Sequence, residues 1–157
     1  VLFRSRRTPT GPEWQPFTVA QMTALEALLR DIVRRYAIPP ENIVGHSDIA
    51  PQRKQDPGPC FPWQQLAQRG LGAWPDSRRV QFWLAGKAPH AAVPAEQVLT
   101  LLSRYGYPVS DGMSAREQQK VIAAFQMHFR PADYRGLPDA ETAAIAAALL
   151  ERYGAAP

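Results

Sequence analysis

The stretch richest in chemistry is Gly45-His46-Ser47-Asp48-Ile49-Ala50-Pro51-Gln52-Arg53-Lys54-Gln55-Asp56-Pro57-Gly58-Pro59. It gathers a histidine, a lysine and two aspartates within eleven positions. An imidazole with a carboxylate is a usual donor pair for Zn²⁺. A lysine close to such a metal can stabilise a developing oxyanion. The prolines stiffen the loop and lower the entropy cost of holding ligands in place. The stretch directly follows Ile43-Val44-Gly45, a short apolar run that reads as a brief buried strand, and loops after strands often carry function. On spacing alone the pattern stays open, because a histidine in a loop equally serves as a hydrogen-bonding residue.

The remaining candidates add little. His90 falls in a linker, and His128 falls on a helix, where it reads as a surface or packing residue. Cys60 lies among prolines with no evident histidine partner and reads as a small structural residue. As the sole cysteine it excludes an intrachain disulfide and a Cys-rich zinc site. Trp63 and Trp74 read as residues that close a core.

These residues must be positioned by regular elements. Arg6–Pro16 is rich in Thr, Pro and Gly and reads as a loop. Thr18 offers an N-cap, and Phe17 can staple onto Met22. Apolar residues at Met22, Leu25, Leu28, Leu29, Ile32, Val33 and Tyr36 have helical spacing, and Pro39-Pro40 ends the pattern. The prolines in 46–62 exclude a continuous helix there. Trp63–Arg69 predicts a short helix stopped by Gly70, and Asp76 caps another through Leu84. Gly86–Ala92 reads as a linker. Three helices follow: Pro94–Tyr105, a second opening at Ser114 with Glu117 as a capping box and running to Phe129, and Asp139–Tyr153.

Composition bounds the class. The chain has 157 residues, 45% of them hydrophobic and 20% charged, which is the composition of a globular domain. No run approaches the ~18–20 apolar residues of a membrane span. The net charge is +4. Arg4, Arg6 and Arg7 supply three of those charges, and no helix carries a basic stripe, so nucleic acid is not the expected partner.

Ile43–Trp63, followed by Gly70-Leu71-Gly72-Ala73-Trp74-Pro75, closely resembles the zinc-dependent N-acetylmuramoyl-L-alanine amidases (type-2), within the superfamily of peptidoglycan-recognition proteins and phage-lysozyme-type amidases. The match is best to the Gram-negative envelope type. Residues 123–131, with Gly136, Asp139, Glu141 and Thr142, resemble the helical peptidoglycan-binding module that follows the catalytic domain there. In that module Phe125 reads as core, and Gln126 and Thr142 as helix-joining hydrogen bonders.

The resemblance implies hydrolysis of the amide between N-acetylmuramic acid and L-alanine, with Zn²⁺ as cofactor and peptidoglycan or muropeptides as partners. His46 matches the second zinc ligand of the family, Asp56 the third, and Lys54 the lysine that faces the scissile carbonyl. Asp48 and Arg53 have no such role by motif, and a turn cap and a loop-bracing charge are their readings. The first histidine ligand and a glutamate on a strand have no counterpart, since Glu13 falls in a loop and Glu26 in a helix. The implied fold is α+β: the C-terminal fragment of a mixed-sheet amidase domain over 8–85, a linker over 86–92, and a three-helix module over 93–157. Residues 1–7 read as a non-native scar, since Val1-Leu2-Phe3-Arg4-Ser5 is what a sequencing-adapter tail would encode. The expected fragment is inactive alone, with the apolar stripe of its first helix partly exposed. A non-catalytic peptidoglycan-binding module is the alternative. The implied location is the periplasm or cell envelope, as a monomer, with any lipid anchor outside this chain.

Overall fold

The computed structural model describes residues 5–154. Val1–Arg4, most of the expected scar, lie outside the described residues.

Ser5–Thr8 (β1) and Gly11–Trp14 (β2) form an antiparallel hairpin, with Ser5 opposite Trp14 and Thr8 opposite Gly11. The sequence predicts a loop here, so this is a correction. Gly11 adopts φ 120°, and the Thr8 hydroxyl donates to its carbonyl at 2.7 Å, which closes the turn. Pro12 is tolerated because a two-stranded ribbon has only edge strands.

Val19–Tyr36 (α1) starts at a full capping box. The Thr18 hydroxyl accepts from the Gln21 N–H at 3.3 Å, and the Gln21 side chain accepts from the Thr18 N–H at 3.0 Å. Its apolar stripe is only partly covered. Met22 is buried, Leu25, Leu29 and Val33 are half-buried, and Leu28 and Tyr36 are exposed.

Ile43–Gly45 is extended but is not a strand, a second correction. It pairs with no strand among the described residues, and the Gly45 N–H is taken by the Asp48 carboxylate at 2.7 Å. His46–Ile49 (α2) is a single helical turn, followed by Trp63–Gln68 (α3) and Ser77–Leu84 (α4). Asp76 caps α4 by accepting from the Arg78 and Arg79 N–H groups.

Ala95–Tyr105 (α5), Ala115–Phe129 (α6) and Ala140–Tyr153 (α7) agree with the sequence reading. The fold is α+β, with a helical majority. Val98, Leu102, Val121, Ile122, Phe125 and Leu149 form the innermost core of α5–α7. Burying a side chain of the size of Leu102 or Phe125 contributes roughly 1.5–3 kcal/mol. A second cluster joins Met22 of α1 to Phe61, Trp63, Leu66 and Leu71, and Trp74 packs against both clusters. Residues 86–92 are tied down: the Ala140 N–H donates to Ala91 O at 2.9 Å and the Glu141 N–H to Pro89 O at 3.0 Å. None of the described helices is long and apolar enough to cross a membrane.

The α6 capping box gives a pH-dependent prediction. The Ser114 backbone N–H, then its hydroxyl, hydrogen-bond the Glu117 carboxylate and hold its pKa below the ordinary value. A carboxyl depressed in the folded state stabilises above its unfolded pKa, and that contribution is lost as pH falls through the folded value. Ser114→Ala is expected to lower stability by roughly 1 kcal/mol near neutrality. The difference should shrink in acid, as pH falls below the ordinary glutamate range and Glu117 protonates. Urea unfolding of both proteins at pH 7 and pH 3 checks it.

Candidate metal centre

His46 and Asp56 are brought together by a tightly closed loop. His46 opens α2, with Gly45 as its N-cap. The Ser47 N–H donates to Asp56 O at 2.9 Å, which draws the end of the loop back onto its start. The Arg53 and Lys54 N–H groups both donate to Ala50 O and turn the chain between them. The Asp56–Pro57 peptide is cis. Two glycines permit the closure. A Cβ on Gly45 would lie 2.5 Å from Pro57 Cδ, and one on Gly58 would strike the Trp14 indole.

The result is a hydrogen bond of 2.6 Å between His46 Nδ1 and Asp56 Oδ2. The His46 side chain is 51% exposed and that of Asp56 13%. Both border a cavity of about 200 Å³ whose walls include Leu25, Leu29, Phe61 and Trp63. An imidazole nitrogen and a carboxylate oxygen that meet at an open edge suit two positions of a zinc centre. Lys54 is exposed, and its amine makes no hydrogen bond or ion pair among the described residues.

No third histidine, cysteine or carboxylate joins this pair among the described residues. Glu13 is exposed in β2, and Glu26 is buried in α1 against Arg69. A three-residue group does exist elsewhere: His90, Asp133 and Asp139 place their ligand atoms within 4.8 Å of one another. Its chemistry fits a metal poorly. Arg130 donates to Asp139 at 2.7 Å, and Arg135 donates to Asp133 at 2.7 Å. The Arg135 hydrogen bond holds the Asp133 carboxyl well below the usual carboxylate range. Two guanidiniums already neutralise the pair and would repel a cation.

Asp48 is the turn cap that its place in the sequence suggests, and it does more. It is 5% exposed. Its Oδ2 accepts from Gly45 N at 2.7 Å and from His128 Nδ1 at 2.9 Å, while its Oδ1 accepts from the Tyr107 hydroxyl at 2.5 Å. Burial, then the Asp48 charge, push the Tyr107 phenol well above its ordinary pKa, so it stays a donor. His128 is buried and stacks on Trp63 with ring centroids 3.9 Å apart. Trp63 thus closes a core, as its sequence context suggests. Sequence reasoning missed Tyr107 altogether. Its one signal was an aromatic residue just beyond the helix-ending Gly106.

Residues 6–59 match the family described as N-acetylmuramoyl-L-alanine amidase. The N-acetylmuramoyl-L-alanine amidase AmiD of Escherichia coli is 64% identical over 139 residues, covering 88% of this chain and 50% of that protein. The structure of AmiD in complex with anhydro-N-acetylmuramic acid-L-Ala-D-γ-Glu-L-Lys superposes with a TM-score of 0.93 at 59% identity, covering 96% of this chain and 58% of that one. AmpDh3 of Pseudomonas aeruginosa, in complex with anhydromuramic pentapeptide, superposes with a TM-score of 0.86 at 38% identity, covering 96% and 60%. The chain therefore spans about half the length of the curated relative it matches along most of its residues. With a paired His46 and Asp56 inside the matched segment, and a fold shared with the amidase AmiD and with AmpDh3, residues 6–59 belong to the N-acetylmuramoyl-L-alanine amidase family.

Proposed function

We propose that this chain carries two ligands of a zinc centre that serves hydrolysis of the amide between N-acetylmuramic acid and L-alanine. The observation that carries the reading is the 2.6 Å meeting of His46 Nδ1 and Asp56 Oδ2 at an open cavity edge. The ligands named for the two superposed structures, both anhydromuramyl peptides, support the substrate class. When bound, zinc supplies Lewis-acid polarisation of the carbonyl and acidifies water. His46 and Asp56 would hold it. The Lys54 ammonium is exposed and unpaired among the described residues, free to turn toward an oxygen that gains negative charge. The first histidine ligand and the general base expected by family resemblance are assigned to none of the described residues. The whole reaction is therefore proposed for the full-length protein, acting on peptidoglycan in the periplasm of a Gram-negative envelope.

A groove of about 490 Å³ favours a second reading. Trp83, Val93, Pro94 and Leu101 line it over a floor of alanines from α7, a surface suited to glycan or peptide. This would make residues 93–157, with α4, a wall-binding unit. The two readings part on zinc, which a binding unit does not need.

The test is zinc affinity of the purified chain by competition with a chromophoric chelator. We expect one-to-one binding that weakens at least about 100-fold in His46→Ala, since even partners of a ligand are worth about 10–100-fold. Equal affinity in the two proteins would overturn the reading.

A further inference from the structure

We infer that Tyr107 and His128 are positioning residues for the metal centre, acting through Asp48, so that the helical unit is part of the catalytic apparatus. The inference rests on the reading of His46 as a ligand. His46 and Asp48 share one helical turn only four residues long. Such a turn has almost no stability of its own, because helix nucleation is unfavourable. Its geometry must come from outside. The Asp48 carboxylate supplies it by spanning from Gly45 N, at the start of the turn, to groups fixed in the helical core. Tyr107 packs edge-on against Phe125 at 5.5 Å, and His128 is clamped between Trp63 and Phe129. Neither can follow the turn if it moves.

A second anchor lies further along the same loop. Gln52 donates from Nε2 to Glu117 O at 3.0 Å, and the Lys120 ammonium donates to Gln52 O at 3.1 Å. The loop from His46 to Asp56 is thus held on α6 near both ends of that helix: Glu117 and Lys120 in its first turns, His128 in its last. A carboxylate held by two buried partners across 59 and 80 residues does more than cap a turn. It sets where His46 points relative to Asp56.

The experiment pairs amide hydrogen exchange with zinc competition on the whole chain. Variants are Tyr107→Phe, which removes one oxygen, His128→Leu, and His128→Asn, which retains an N–H donor close to the place of Nδ1. We expect the Gly45 and Ser47 amides to exchange at least about 10-fold faster in Tyr107→Phe and His128→Leu, with α7 amides unchanged and partial recovery in His128→Asn. Zinc affinity should fall about 10–100-fold in parallel. That fall should vanish in a His46→Ala background. Unchanged exchange at Gly45 and Ser47 would overturn the inference, as would an equal rise throughout α7, which marks general destabilisation. If His46-dependent zinc binding is absent in the unmutated chain, the metal reading fails, while the exchange data still decide whether Tyr107 and His128 fix the turn. Should His128→Leu not fold, Tyr107→Phe carries the test.

Discussion

Asp139→Ala is expected to lower the stability of the chain by about 3–5 kcal/mol, the usual result of removing one partner of a buried ion pair. Asp139 is 4% exposed and Arg130 7%. The carboxylate does two jobs at once. Its Oδ1 caps α7, accepting from the Thr142 N–H at 2.9 Å and the Thr142 hydroxyl at 2.7 Å. Its Oδ2 accepts from Arg130 at 2.7 Å. Loss of the cap alone would cost about 1 kcal/mol. The larger part comes from Arg130, whose Nε already lacks a hydrogen-bond partner among the described residues. Without Asp139 the nearest carboxylates are those of Glu141 at 3.4 Å and Asp133 at 3.8 Å, the latter already held by Arg135. The Thr142 hydroxyl also accepts from Gln126 at 3.0 Å, so the loss spreads across the α6–α7 contact. The melting temperature should fall on the order of 10 °C. Asp139→Asn, which can still cap the helix, should fall between the two proteins. A loss below about 1 kcal/mol in Asp139→Ala would show that Arg130 escapes to solvent and that only the cap matters.

What could be read from the sequence follows the range of each interaction. Thr18, Asp76, Ser114 and Asp139 all cap helices as their types and positions suggest, because a cap is decided within three or four residues. The Gln126–Thr142 bond agrees with the reading of both residues, within the resemblance to a helical module, as helix-joining hydrogen bonders. The His46–Asp56 pair is closed by backbone bonds inside the same loop, but its spacing alone left the pattern open, and the resemblance of the whole stretch singled the two residues out. Ile43–Gly45 misled because β character needs a partner strand, and an apolar run does not say whether one is there. The hairpin at Ser5–Trp14 was masked by Pro12 and Gly11, which signal turns more strongly than strands. The Asp48–Tyr107–His128 junction had no local signature. Each of its side chains has an ordinary reading in its own segment: a turn cap, a residue after a helix, a helix packing residue. Only the tertiary fold turns those three into one buried cluster.

Gly58→Ala is expected to lower stability by roughly 2–5 kcal/mol and to pull Asp56 away from His46. Two costs add. Gly58 has φ 85°, a conformation that costs an L residue about 1–2 kcal/mol. Its missing Cβ would also strike the Trp14 indole, and overpacking of that kind costs typically 1–3 kcal/mol. The indole belongs to β2, so relief requires either the hairpin or the loop to move. The loop is the weaker side, because Asp56 is tied back mainly by the Ser47 N–H and by His46 itself. A shift of Gly58 is passed through Pro57, which already abuts Gly45, to the start of the His46 turn. Zinc affinity should therefore fall with stability in this variant, whereas Asp139→Ala should leave the affinity of the folded chain nearly unchanged. The clash is separable from the backbone cost by a double-mutant cycle with Trp14→Ala. If the indole is the obstacle, Gly58→Ala costs only about 1–2 kcal/mol once Trp14 is truncated, and zinc affinity recovers toward that of Trp14→Ala alone. Additive losses would instead mean that the backbone conformation of Gly58, and not its contact with β2, holds Asp56 in register with His46.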